Sequence, residues 1–494
     1  MLGRVKQKIL RIIKNIYVNS HRQYCSIDVR ELFVSQNRPT DFQRYDIVVR
    51  YMFIEQYFEK NIVGYGLYEK MQKARAGKEY DPACIERYKK LILSIQKNGY
   101  EDNSKITVGA DLQLIDGSHR IATCLYFNHP EISICYTPIR TEYDYSMEWF
   151  IAHDFTDEEM ALIKQKYNEL ESKCNQPFQC IMWPSMASNF DAATGDLKKM
   201  ENVLGFKDYS FTKQQFEFFI KGVYAVDDID GWKVEKKIEN MVVPTEDIYK
   251  VRILDLKMTR PNFRLKQKNY KTLSRRGEQL KLVIRTKYKD KIPHYFYDNV
   301  MHISDNYAQN AHIRSLKDFN LDITEFFKAI NNEKYVIAKL ETPYMPKDFP
   351  ENVPVGKDID ILCMTESLEH LADQAETFCH NYASEYNCIR RSMGKQRFQI
   401  RLELNGFTLF LWDFTSQEDG LNDRFVMDAI ADCIIFGYIH KMKPEYEVIY
   451  RRNILNMKSK QYHEAWVREH IGYLNIAKEN SYQICMKQNE KLRQ

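Results

Sequence analysis

The chain lacks any apolar run approaching eighteen residues, so no transmembrane helix is expected. Its 11 cysteines include no CxxC pair, which argues against a zinc ribbon and a disulfide framework and points to free thiols in a reducing cytosol. A helix-turn-helix pattern and a clustered basic stripe are also missing. With a formal net charge of only +4 over 494 residues, no nucleic-acid partner is expected. Internal repeats and long low-complexity tracts are absent as well. What remains is 44% hydrophobic and 28% charged. That is a globular composition in a chain too long for one core, so roughly two to four domains are expected.

The first segment, MLGRVKQKILRIIKNIYVNS, sets Leu2, Val5, Ile9, Ile12, Ile13 and Ile16 on one helical face and Arg4, Lys6, Lys8, Arg11 and Lys14 around it. It has neither the uncharged core nor the small-residue cleavage site of a secretory signal. Two readings stand: a basic amphipathic helix over residues 1–25, whose first 18 residues make peripheral contact with the inner membrane face, or a helix docked on the domain behind it. The expected localisation is cytoplasmic.

Beyond it, periodicity divides the chain into a block at 26–145, a helical connector at 146–176, a block at 177–320 and a last block at 330–494. Helices and strands alternate throughout, which predicts a multidomain α/β and α+β architecture.

In QLIDGSHRIATCLYF an apolar strand runs through Asp116-Gly117-Ser118-His119-Arg120 directly into a helix. Glycine permits the tight turn, the helix N-terminus presents unpaired N–H groups, and Arg120 adds a charged fork, a combination suited to phosphate. The alternative is an ordinary turn capped by serine. The DGxHR form resembles the phosphate loop of the ParB/sulfiredoxin fold, most closely that of the free-serine kinases. The resemblance covers about the first 140 residues and implies nucleotide-phosphate binding by Gly117, Ser118, His119 and Arg120. It also implies an acidic base, for which Asp28, Glu31, Glu55 and Asp116 are all open.

Asn299-Val300-Met301-His302-Ile303-Ser304-Asp305 resembles the N-x-x-H-G-S-D motif of nucleoside diphosphate kinases, with Arg285 in LKLVIRTKY as a phosphate ligand. The resemblance implies a ferredoxin-like domain, His302 as phosphorylated nucleophile, and Asn299 and Asp305 fixing its loop. Ile303 stands where the family has glycine, and Trp183 and Pro184 stand where it has a lysine. The alternative is a polar loop in which Ser304 or Asp305 caps the next helix.

VPVGKDIDILCM puts Asp358 and Asp360 two apart on an apolar strand, hence on one face, and FTLFLWDF ends a second strand near Asp413. Carboxylates side by side repel, and a divalent cation relieves them. The alternative is an edge strand with one wet face. The layout resembles the nucleotidyltransferase superfamily, a mixed sheet followed by helices, although the Gly-Ser pair usual before DxD is absent. It implies Mg²⁺ on Asp358, Asp360 and Asp413 with a nucleoside triphosphate, ATP or CTP, as donor.

Three segments therefore resemble phosphate-handling sites. The expectation is a Mg²⁺-dependent kinase or nucleotidyltransferase acting on a small hydroxyl compound, a sugar or polyol, for a bacterial surface glycan. The alternatives are a ParB-like nucleotide-dependent regulator and an assembly protein with decayed sites.

Overall fold

The computed structural model describes residues 23–475 except 39–41, 60–62, 102–104, 141–143, 228, 243–245, 247, 267, 293–294, 296–298, 341–344, 346, 418–419 and 458–460. The basic helix expected over residues 1–25 lies outside these residues but for its last three positions, which open the first strand. The architecture is mixed α/β with several sheets. The chain divides into two compact units: residues 1–210, 239–243 and 250–311 form the first, and 211–238, 244–249 and 312–494 the second. Among the described residues no helix is long and apolar enough to cross a membrane, and every cysteine is a free thiol.

The first unit begins with β1 (Gln23–Asp28), then α1 (Tyr45–Glu59), α2 (Tyr65–Ala76), α3 (Ala83–Asn98), β2 (Ile106–Val108), β3 (Leu114–Asp116), α4 (Ser118–Tyr126) and β4 (Glu131–Tyr136). The strands form one sheet in the order β1-β4-β2-β3. Helix α1 carries Ile47, Val48, Val49, Met52, Phe53 and Ile54, all buried, so nearly its whole circumference packs inward. A hydrophobic exterior all round is what a central helix requires. Helix α5 (Asp157–Cys174) starts at a capping box in which Thr156 and Glu159 satisfy each other's backbone N–H groups.

The unit continues with β5 (Phe178–Met182), α6 (Phe190–Met200) and β6 (Asn202–Thr212). Helices α7 (Lys213–Tyr224) and α8 (Gly231–Met241) intervene before β7 (Ile248–Lys257), the hairpin β8 (Phe263–Leu265) and β9 (Thr272–Ser274), α9 (Arg275–Tyr288) and β10 (Met301–Ile303). The sheet order is β10-β5-β7-β6, and β5 is antiparallel to both β7 and β10. One core runs from Ile27 through Phe178 and Leu254 to Tyr307.

The second unit holds α10 (Tyr307–Lys317), most of which falls here, the short pair β11 (Asn320–Leu321) and β13 (Val353–Pro354), and a seven-stranded mixed sheet. That sheet is built from β12 (Tyr335–Ala338), β14 (Lys357–Cys363), β15 (Asn387–Ser392), β16 (Arg397–Leu404), β17 (Phe407–Thr415), β18 (Ile434–Phe436) and β19 (Ile439–Lys441). Its order is β15-β16-β17-β14-β12-β19-β18. Helices α11 (Leu368–Tyr382), α12 (Asp423–Ala431), α13 (Pro444–Met457) and α14 (Gln461–Glu469) complete it.

One expected helix is corrected. RFVMDAIADCIIFGYIHKM reads as helical, but α12 ends at Ala431 and the chain then forms the β18–β19 hairpin. The run Ile434-Ile435-Phe436 prefers extended backbone, and Gly437 supplies the left-handed turn at φ 59°.

Candidate functional site

The three aspartates of the second unit meet in register. Strands β14 and β17 are parallel, with Asp360 directly opposite Asp413, and Asp358 lies two residues along on the same face. On the other flank β12 is antiparallel to β14, pairing Ala338 with Asp360. The next residue, Lys339, takes a left-handed backbone at φ 60° and its ammonium pairs with Asp360. Asp413 is gripped from β16: Arg397 Nε and Nη2 donate to its two oxygens at 2.8 and 2.5 Å, and Gln399 Nε2 donates at 3.0 Å.

Burial pushes the Asp360 carboxyl up; Asp358 and Asp413 push the same way, while Lys339 opposes them. Burial also pushes the Lys357 ammonium down to about 8, against the pull of Asp358. Gln214, Lys339, Met345, Lys357, Asp358 and Asp360 line an open cleft of about 550 Å³. The hard oxygen donors suit Mg²⁺ by their chemistry. In the geometry described, Lys339 and Arg397 hold the inner two carboxylates, and among the described residues no three His, Cys, Asp or Glu side chains are grouped closely enough to share an ion.

In the first unit the Asp116–Arg120 turn is built as the sequence implies, strand β3 passing through Gly117 into α4. Gly117 has φ +111°, and a Cβ there would stand 2.8 Å from the Ile106 side chain, so only glycine fits. Asp116 points outward and pairs with Arg120 at 2.9 Å. Ser118 Oγ accepts from Arg44 Nη2 at 2.8 Å, and His119 Nε2 meets the Tyr68 hydroxyl at 2.8 Å. Burial, reinforced by Arg50 and Arg75, holds the His119 imidazole well below its ordinary pKa, so it is neutral.

Arg44, Arg50 and Arg75 are the residues that motif reading missed here. Asp46 and Arg50 were legible as an i, i+4 pair inside an otherwise apolar helix.

The four carboxylates considered as a base are each engaged. Asp28 pairs with Arg30, Glu55 with Lys166 and Asp116 with Arg120, while Glu31 accepts the Tyr307 N–H at 2.6 Å.

His302 sits on β10, opposite Ile181 of β5, and is 4% exposed. Asn299 is buried, with its side-chain amide lacking a hydrogen-bond partner among the described residues. Arg285, on α9, donates through Nη2 to the Met301 carbonyl at 2.9 Å. Asp305 bridges Lys266 and Lys281 at 2.6 and 2.9 Å; burial would raise its pKa, but the two ammonium groups bring it down to about 2. Ser304 Oγ accepts the Gln179 N–H at 3.0 Å. Lys281 and Arg285 line an open hollow of about 630 Å³.

Comparison of the chain with protein-family models, with curated proteins and with solved structures returned no match.

Proposed function

We propose that the chain is a Mg²⁺-dependent phosphoryl- or nucleotidyl-transfer enzyme acting on a small hydroxyl compound, a sugar or polyol, with its reaction centre in the second unit. The observation that carries this reading is the pairing of Asp360 with Asp413 across adjacent parallel strands, with Asp358 on the same face at the edge of a cleft. Asp358, Asp360 and Asp413 would hold the cation once Lys339 and Arg397 release them. Bound there, Mg²⁺ would supply charge neutralisation to the transferred phosphoryl group. The chain's own residues supply the rest. Lys339 and Lys357 line the cleft, where Lys339, once released from Asp360, and Lys357 would offer ammonium groups to phosphate oxygens, and the strand pairing keeps the carboxylates in fixed register. The seven-stranded mixed sheet with its following helices supports the nucleotidyltransferase-like reading of this unit.

The strand order β10-β5-β7-β6, with α6 and α9 in the crossovers, is that of a ferredoxin-like βαββαβ unit and supports a nucleoside-diphosphate-kinase-like reading of residues 177–320. His302 remains its phosphoacceptor candidate. The turn into α4, with arginines gathered behind it, supports a second reading in which the ParB/sulfiredoxin-like part binds nucleotide phosphate.

The test is incubation with α- and γ-labelled ATP and CTP, with and without Mg²⁺. Transfer to a polyol or sugar acceptor should fall by roughly 10²–10³ in Asp358→Asn, Asp360→Asn and Asp413→Asn with the fold retained. Full transfer in all three variants would refute the assignment, and acid-labile γ-label lost in His302→Ala would move the chemistry to β10.

A further inference from the structure

Behind the Asp116–Arg120 turn, two arginines grip one buried aspartate, and a third, exposed arginine acts on its charge from nearby. The buried Asp46 carboxylate accepts from Arg44 Nε at 2.8 Å and from Arg50 Nη1 at 2.8 Å. Arg44 reaches on to Ser118 Oγ. Arg44 and Arg75 both lie over the Tyr145 ring, at 5.3 and 5.2 Å from its centroid, and Arg75 donates to Gln72 Oε1 at 3.3 Å. Asp144, the other carboxylate near Arg44, is exposed and accepts the Gln43 N–H. Arg120 already has Asp116. Two buried guanidinium groups thus share one buried carboxylate, and the exposed Arg75 nearby brings the local excess to two positive charges.

The hydrogen-bond inventory is equally one-sided. Arg50 is fully buried, yet its Nε and Nη2 have no hydrogen-bond partner among the described residues. Gln72 is buried too; its oxygen is fixed by Arg75, and its Nε2 also lacks a partner among them. All three orphan atoms are donors, and a buried donor without an acceptor is costly. Helix α4, nine residues long, begins close by, with Ser118 on Arg44, His119 on Tyr68 and the Arg50 charge acting on His119, and its first-turn N–H groups have no intrahelical acceptor.

We propose that this cluster binds a dianionic phosphate group, held by Arg50 Nε and Nη2, Gln72 Nε2 and the first-turn N–H groups of α4, with Arg44 and Arg75 completing the charge balance. The inference rests on the phosphate reading of the Asp116–Arg120 turn and deepens it, assigning the ligand's charge and a set of residues outside the motif. Inorganic phosphate, a phosphate monoester and the terminal phosphate of a nucleotide share this chemistry. A guanidinium fork matches two oxygens of such a group at once.

The test is calorimetric titration of the full chain with inorganic phosphate and, separately, with ATP in the absence of divalent cations. Because Arg50 is buried and its loss threatens folding, Gln72→Leu and the exposed Arg75→Ala accompany Arg50→Lys. The expected result is phosphate binding weakened at least tenfold in Gln72→Leu and Arg75→Ala with unchanged circular dichroism. Competition by ATP would identify a nucleotide as the source and its absence a free phosphate or monoester, either result supporting the site. Phosphate affinity unchanged in Gln72→Leu and Arg75→Ala overturns the inference. In that case, ATP binding lost in Arg120→Ala would leave the turn's own reading standing, whereas no binding of either ligand by the wild-type chain overturns both.

Discussion

Glu31 shows how far burial moves a side chain in this molecule. It is 1% exposed, and burial, with Asp28 adding to it, pushes its carboxyl up to about 8. An unfolded glutamate loses its proton near 4.5, so between about 4.5 and 8 the unfolded state binds fewer protons than the folded one. Stability therefore falls as pH rises through that window, by on the order of 5 kcal/mol from this group. Glu31→Gln keeps an acceptor for the Tyr307 N–H and removes the titration. Its denaturation midpoint should vary less between pH 5 and 8 than that of wild type, and equal slopes would show that Glu31 ionises freely in the fold. Asp46 is the opposite case: burial would raise its carboxyl, but Arg44 and Arg50 beside it hold it well below the carboxylate range.

At the scale of elements, the turn into α4 is the most constrained. Gly117→Ala must adopt φ +111° and press a methyl group into Ile106, a cost of about 1–3 kcal/mol that urea titration would register. A loss below about 0.5 kcal/mol would mean that the turn relaxes freely. This turn was legible because strand, glycine and helix follow one another within fifteen residues. Strands β14 and β17 were legible from their apolar runs. Strand β6 was not, because most of its residues are exposed and carry no buried alternation. Nor was α12's early end, since Cys433 to Phe436 is apolar at both helical and extended spacing.

The site residues divide in the same way. Asp358, Asp360 and Asp413 stand out in sequence, whereas Lys339 and Arg397 become their partners only through long-range strand pairing that local pattern does not encode. Arg50 and Gln72 lie on α1 and α2 and acquire meaning only beside α4.

On the scale of the whole molecule, the two units are interleaved along the chain. Strand β5 is completed by β7 on one side and β10 on the other, through pairs such as Phe178 with Leu256 and Met182 with Met301. A fragment ending at Ser210 lacks both partners and removes Met258, Phe263, Leu280 and Tyr307 from the shared core. A fragment beginning at His312 lacks residues 211–238 of its own unit. Neither should unfold cooperatively in circular dichroism, and both should be cleaved rapidly by protease. A sharp transition in either would show that a unit folds without its interleaved segment.

The interleaving also constrains how such a gene can change. A single recombination breakpoint anywhere between the codons for Phe211 and Ala311 would split at least one unit between parents, so neither unit can be inherited intact through one crossover there. Descendants are therefore expected to keep or lose the two units together.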